Sequence, residues 1–306
     1  MNIVQNKQSL KSNGIVFITF PKTGLGNMLF IWARGLVFSQ INRLPMVTAS
    51  WWGFRWGAII RKEKRNRLYW KYFKETPLLT RLAIKLSLKQ RIIEPPVQRI
   101  DLPEDSKIYC FNTVMPDVDL FVSLRDHKEL IRLQLLEILH PVQKKNLSLF
   151  NAPEIGIHVR RGDFLMGSNL TPLAFFIKGI NLIREEIGKE ITVTIFSDAT
   201  KEELKQLLNL PFTTLAAEKA DILDIILLSK SKILMLSASS TFSYWGAFLS
   251  EAFVIRPHTD WLININDDDE HNCAYKEMKW DARNEKDIEL LKSNFRHWLE
   301  KCNYEF

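Results

Sequence analysis

From residue 155 to residue 255 the chain alternates short apolar runs with longer amphipathic ones, and that alternation constrains its fold more than any other feature. Ile155–Val159, Ile191–Phe196, Lys232–Leu236 and Ala252–Ile255 are rich in β-branched and aromatic residues, as strands are. Between and after them, 173–187, 200–209, 219–230 and a segment from Thr241 carry apolar residues at helical spacing. Strands separated by helices pair in parallel, because a parallel neighbour is reached only through a crossover. The first half is less regular: strand Ile15–Phe20, a glycine turn, helix Asn27–Ile41, strands at Pro45–Ser50 and Lys107–Phe111, and helix His127–His140 stopped by Pro141. Residues 57–92 read as mostly helical with a break at Pro77. The expected class is α/β, with doubly wound, Rossmann-like units at 1–148 and 149–306 divided in the proline-containing stretch 141–154.

A chain of 306 residues with 46% hydrophobic and 25% charged side chains has globular composition. No run approaches the ~20 apolar residues of a membrane-spanning helix, and the polar opening MNIVQNKQSLKSN has no apolar secretory core, so the expected location is cytoplasmic. Cys110, Cys273 and Cys302 show neither metal-ligand nor redox spacing. The net charge of +7 is concentrated in residues 51–100, where 13 Lys or Arg face three Glu. Trp51, Trp52, Trp56 and Trp70 lie in the same stretch. Interleaved cations and aromatics suit an anionic membrane surface; a solvated cationic face over buried tryptophans is the other reading.

In open parallel sheets ligands bind beyond the carboxyl ends of strands, which directs attention to four turns. His158-Val159-Arg160-Arg161-Gly162-Asp163 ends one strand. Adjacent guanidiniums suit phosphate oxygens; on extended backbone only one can face a ligand, leaving the other to pair with Asp163. A surface ion pair is the alternative. Ser237-Ala238-Ser239-Ser240-Thr241-Phe242-Ser243 precedes a helix, where free N–H groups and the dipole favour an anion, although for this motif in isolation plain capping by Ser or Thr is the preferred reading. Gly24-Leu25-Gly26-Asn27 lets backbone approach a ligand but lacks the third glycine of a dinucleotide fingerprint and the lysine of a P-loop. Asp198 either caps the next helix or faces the cleft. Asp224, in an apolar helix, is either exposed or buried with a partner such as the N–H donors of guanine. The acidic run 266–271 reads as a solvated loop, with a metal site as the alternative.

Taken together, HVRRGDF, FSDA, the Asp of ILDIILLSKSK, SASSTFSYWGAFLSE and the opening GLGNMLFIWA resemble the α-1,2-fucosyltransferase family in order and spacing. That family's opening usually has glutamine where this chain has Met28 and Ile31, and tyrosine at Trp32. The resemblance implies a GT-B fold with the acceptor side at 1–148 and the GDP-sugar side at 149–306, inversion at the fucosyl carbon, and no cofactor or metal. By similarity, Arg160 holds the β-phosphate, His158 approaches the ribose or guanine, Asp224 reads the guanine edge and Asp198 joins the donor site. Ser240, Thr241 and Phe242 line the phosphate and nucleoside pocket, Asn27 reaches the donor from the other lobe, and Arg161 and Asp163 brace the loop. Asp163 is also the candidate general base. The partners expected are GDP-fucose and a galactose-containing surface glycan, not nucleic acid; a lipid-linked acceptor at the inner membrane would account for the cationic, Trp-rich segment. The competing classes are a metal-dependent transferase using another nucleotide sugar, and a non-enzymatic binder of lipid or nucleic acid through residues 51–100.

Overall fold

The computed structural model describes residues 14–52, 69–114, 119–161, 170–217, 219–260, 262, 264–266 and 276–302. Among these residues ten strands form two wholly parallel sheets. The smaller contains β1 (Gly14–Ile18), β2 (Met46–Thr48), β3 (Arg91–Ile93) and β4 (Lys107–Phe111) in the order β2-β1-β4-β3. The larger contains β5 (Ile155–Val159), β6 (Val193–Ser197), β7 (Thr213–Leu215), β8 (Ile233–Met235), β9 (Phe253–Pro257) and β10 (Glu277–Trp280) in the order β10-β9-β8-β5-β6-β7. Read from β7, that is the 3-2-1-4-5-6 order of a doubly wound Rossmann sheet, with its switch point between β5 and β8. Ile155 aligns with Val193 on one side and Ile233 on the other. The architecture is α/β of the GT-B type.

Nine α-helices are described: α1 (Leu25–Asn42), α2 (Leu78–Leu86), α3 (Lys128–Ile138), α4 (Pro141–Leu147), α5 (Leu173–Ile187), α6 (Lys205–Leu208), α7 (Asp221–Leu228), α8 (Thr241–Phe248) and α9 (Glu285–Cys302). α5 shows how sequence sets an element's limits. Pro172, which presets φ, stands at its N-cap, and Gly188 ends it at φ 74°, where a Cβ would be strained. α1 is buried on nearly every side, as a helix lacking a polar face must be. One side packs on β1 and β4, the other on α8 of the larger lobe. A single apolar cluster therefore runs from Val16, Phe30 and Phe111 through Phe121 to Leu223, Trp245 and Val254. A second cluster lies on the other face of the larger sheet, where Leu291, Phe295 and Trp298 of α9 cover Phe253 and Trp280.

Several elements differ from expectation. Residues 57–92 are not mostly helical where described: α2 occupies nine residues and Arg91–Ile93 joins the sheet as an edge strand. Pro141 does stop α3 but also starts α4, being tolerated in a helix's first turn. β7, β10 and α9 extend the expected series. Cys110 is a buried free thiol; Cys273 and the side chain of Cys302 lie outside the described residues.

Candidate functional site

The loops after β5 and β8 meet at the switch point, and Ser237 joins them. Its hydroxyl donates to the His158 carbonyl at 2.8 Å and accepts from the Arg160 N–H at 2.9 Å. One side chain thus fixes the last residues of β5 against the approach to α8. The His158 ring stacks on Phe242 of α8, centroids 5.1 Å apart and planes 25° off parallel. His158 is buried, and its Nδ1 has no hydrogen-bond partner among the described residues. Burial, reinforced by the nearby Arg160 charge and only partly opposed by Asp198, pushes its pKa down to about 3. The imidazole is therefore neutral at physiological pH.

Asp198 does not cap a helix. Its Oδ2 pairs with Arg160 Nη1 at 2.8 Å, and its Oδ1 accepts the Arg161 N–H at 2.8 Å. The residue at the end of β6 therefore aims the guanidinium at the end of β5, and both side chains keep about a quarter to a third of their surface exposed, at 26% and 31%. Arg161 is turned inward, its Nη1 donating to the Thr171 carbonyl at 2.8 Å. The two arginines do diverge as extended backbone requires, but Arg161 is held by a carbonyl. Asp163 lies outside the described residues.

At the head of α8, Ser240 occupies the N-cap position yet makes no side-chain cap hydrogen bond. Simple capping by that hydroxyl is therefore not its role here. The preceding Ser239 has φ +57°, an uncommon left-handed backbone for a residue with a Cβ. A buried charge cluster holds it there. Asp260 Oδ1 accepts the Ser239 N–H at 3.3 Å and the Tyr244 hydroxyl, while its Oδ2 pairs with Arg256 at 3.0 Å. Arg256 also pairs with Glu277. Burial, followed by Asp260's negative charge, raises the Tyr244 pKa, so it stays a neutral donor. Thr171 adds a further tie, its hydroxyl accepting the Ala238 N–H at 3.0 Å.

The smaller lobe enters through the glycine turn. A Cβ on Gly26 would stand 2.8–2.9 Å from the backbone of Thr241 and Phe242, so it is α8, not a ligand, that Gly26 admits at close range. Trp245 Nε1 donates to the Gly26 carbonyl at 2.8 Å. Asn27, the next residue, donates to Thr23 Oγ1 at 2.8 Å and leaves its Oδ1 buried without a hydrogen-bond partner among the described residues. Met28, Ile31 and Trp32, the departures from the usual opening, are all in the core. Asp224 is buried, so the exposed reading fails; Lys219, itself packed over Phe150 and Phe196, pairs with it at 2.8 Å.

His158, Arg160, Asp198, Ser240, Thr241 and Phe242 are legible in the motifs; the residues that set their positions carry weaker signals or none. Ser237 and Tyr244 lay inside quoted motifs. Arg256 was signalled by its place in the otherwise apolar strand FVIRP; Asp260, Thr171 and Lys219 gave no local signal. Among the described residues no group of three His, Cys, Asp or Glu is placed to hold a metal ion, and residues 267–271 of the acidic run lie outside them.

The sequence profile of glycosyl transferase family 11 matches residues 90–282. The chain belongs to that family. The match spans both switch-point loops of this glycosyltransferase. Among solved structures, the fucosyltransferase NodZ from Bradyrhizobium is similar in fold, with TM-score 0.51 at 15% identity over 77% of this chain and 93% of that one. A NodZ α-1,6-fucosyltransferase co-crystallized with GDP gives TM-score 0.50 at 15% identity over 77% and 92%. A search among curated proteins finds no match.

Proposed function

We propose that the protein transfers L-fucose from GDP-fucose to a hydroxyl of a galactose-containing glycan, O2 by the motif resemblance, inverting the anomeric centre without a metal ion. The observation that carries this reading is the pinning of the Arg160 loop to the head of α8 by Ser237 and by the His158–Phe242 stack. A guanidinium beside helix-end N–H groups suits a diphosphate leaving group. The fold shared with a GDP-bound NodZ supports a GDP-type donor, while its α-1,6 linkage leaves O2 resting on the motifs. Family membership weighs against a non-enzymatic binder.

In this reaction the acceptor oxygen forms a bond to the sugar's C1 as the C1–O bond to the β-phosphate breaks and GDP departs with the electron pair. Arg160 and the N-terminus of α8, with Ser240 and Thr241, stabilise charge growing on that phosphate. Phe242 and His158 flank the nucleoside, and Asn27 reaches the donor from the smaller lobe. Asp224 reads the guanine edge while still paired with Lys219, since a carboxylate accepts several donors. The acceptor's proton passes to a carboxylate, assigned here to Asp163. His158 is unsuited to that task, because a base whose conjugate acid has a pKa near 3 cannot hold the proton. The acceptor is expected to be a lipid-linked surface-glycan precursor on the cytoplasmic side of the inner membrane.

A thermal-shift panel of GDP, UDP and ADP tests the donor. GDP at about 100 times its dissociation constant should stabilise by about 2.7 kcal/mol, and UDP and ADP far less. Arg160→Ala should stay folded, lose the GDP shift and lose at least ~100-fold in kcat; chelator should leave turnover unchanged. A larger shift with UDP or ADP, or a full GDP shift in Arg160→Ala, overturns the assignment.

A further inference from the structure

The apolar side of α2 faces away from the protein. Its sequence, LLTRLAIKL, buries Ile84 alone, against Phe17, Val47 and Ile108 on the outer face of the smaller sheet. At roughly 100° per residue, Leu78, Leu79, Leu82 and Leu86 fall on the arc opposite Ile84. All four are exposed, Leu79 by 81% and Leu86 by 78%, and Leu88 just beyond is fully exposed. A helix whose task is to cover a core turns its leucines inward; this one is anchored by its minor face. Arg81 ties it to Glu75 at 2.7 Å, and Arg91 ties its last carbonyls, donating to those of Ile84 and Lys85.

Charge identifies the occupant. Between Leu78 and Ile93 every charged residue is a cation, Arg81, Lys85, Lys89 and Arg91. Trp52 and Trp70, on the same lobe, are also exposed. Leucines at the centre and cations at the flank, with exposed tryptophans on the same lobe, are the composition of a helix lying in the boundary of an anionic bilayer. We propose that α2 and the turn to Leu88 dock the enzyme on an anionic phospholipid surface, the leucines entering the acyl boundary and Lys85 and Lys89 meeting headgroup phosphates. The inference stands apart from the donor assignment, since none of these residues touches the candidate site.

The test is sedimentation of the full chain with vesicles of phosphatidylglycerol and phosphatidylethanolamine, and with phosphatidylcholine vesicles. Wild type should partition onto the anionic vesicles at least 10-fold better than onto the neutral ones. Leu82→Glu/Leu86→Glu should lower that partition at least 10-fold with an unchanged thermal midpoint, as expected for exposed positions. Lys85→Glu/Lys89→Glu, or about 1 M salt, where the Debye length falls to about 3 Å, should remove the preference for anionic lipid. Wild type that stays in the supernatant, or a leucine variant that partitions like wild type, overturns the proposal. So does a leucine variant that converts a dimer to a monomer in analytical ultracentrifugation, because the face would then belong to a second copy.

Discussion

Arg160 and Arg256 are both paired with aspartate, yet the two pairs do opposite work. The Arg160–Asp198 pair is part-exposed, and such pairs contribute only about 0–1 kcal/mol. Under the proposed donor assignment, a phosphate would share or replace Asp198 at little cost. Arg256, Asp260 and Tyr244 are sealed from solvent, where removing one partner costs about 3–5 kcal/mol. That cluster keeps Ser239 in its left-handed conformation. His158 makes the same point about burial through pH. Its folded pKa lies near 3, below the ordinary 6.5, so at mildly acidic pH the unfolded chain takes up a proton that the folded one refuses. Stability should be intact above about pH 6.5 and fall towards pH 3. Between pH 6 and 4 the wild type should lose roughly 2 kcal/mol more than His158→Gln, measured by urea unfolding at each pH. Equal slopes would mean the buried ring titrates normally. Asp198 and Ser240 were hard to read at this scale because capping is a local rule; tertiary partners, invisible in sequence, claimed the carboxylate.

Clear apolar runs were the legible elements. β4, β5 and α5 occupy the expected residues because each is a clear apolar run bounded by polar, proline or glycine residues. β3 and β7 escaped because RII and TTL are three-residue edge strands with no alternation to detect. α9 carries Ile288, Leu291, Phe295 and Trp298 at helical spacing, a signal beyond the reach of the expected series, which ended at Ile255. The contact between α1 and α8 yields a prediction with its own control. Gly26→Ala would push a Cβ against backbone atoms of Thr241 and Phe242, which cannot swing aside as side chains do. It should cost roughly 1–3 kcal/mol and, by moving the head of α8 relative to Arg160, raise the KM for donor. Gly24→Ala meets no atom within 4 Å and lies at φ −75°, so it should be neutral. Urea midpoints and donor titrations check the pair; matching values for the two variants would refute the close approach.

At the scale of the molecule, the division between residues 148 and 149 is proposed as a boundary of sheet topology, not of stability. All four strands of the smaller sheet precede it and all six of the larger follow it, but the apolar cluster around α1, Phe121 and α8 belongs to both lobes. Phe121 sits edge-on to Phe30 and Trp245, and stacks on Phe248 at 4.5 Å. Separating the lobes would expose those rings and leave the buried Trp245 N–H without its Gly26 acceptor, so neither lobe gains by unfolding alone. The consequence for function is that the proposed donor site, with the Arg160 loop and the head of α8 packed against α1, persists as long as the chain is folded. Scanning calorimetry should therefore give one transition whose calorimetric and van't Hoff enthalpies agree. Phe121→Ala, which hollows the shared core, should lower stability by about 3–5 kcal/mol and keep the transition single, because both lobes lose the same contact. Two resolved transitions in the wild type would show that the sheets unfold independently and that the α1–α8 contact is too weak to fix the site's geometry.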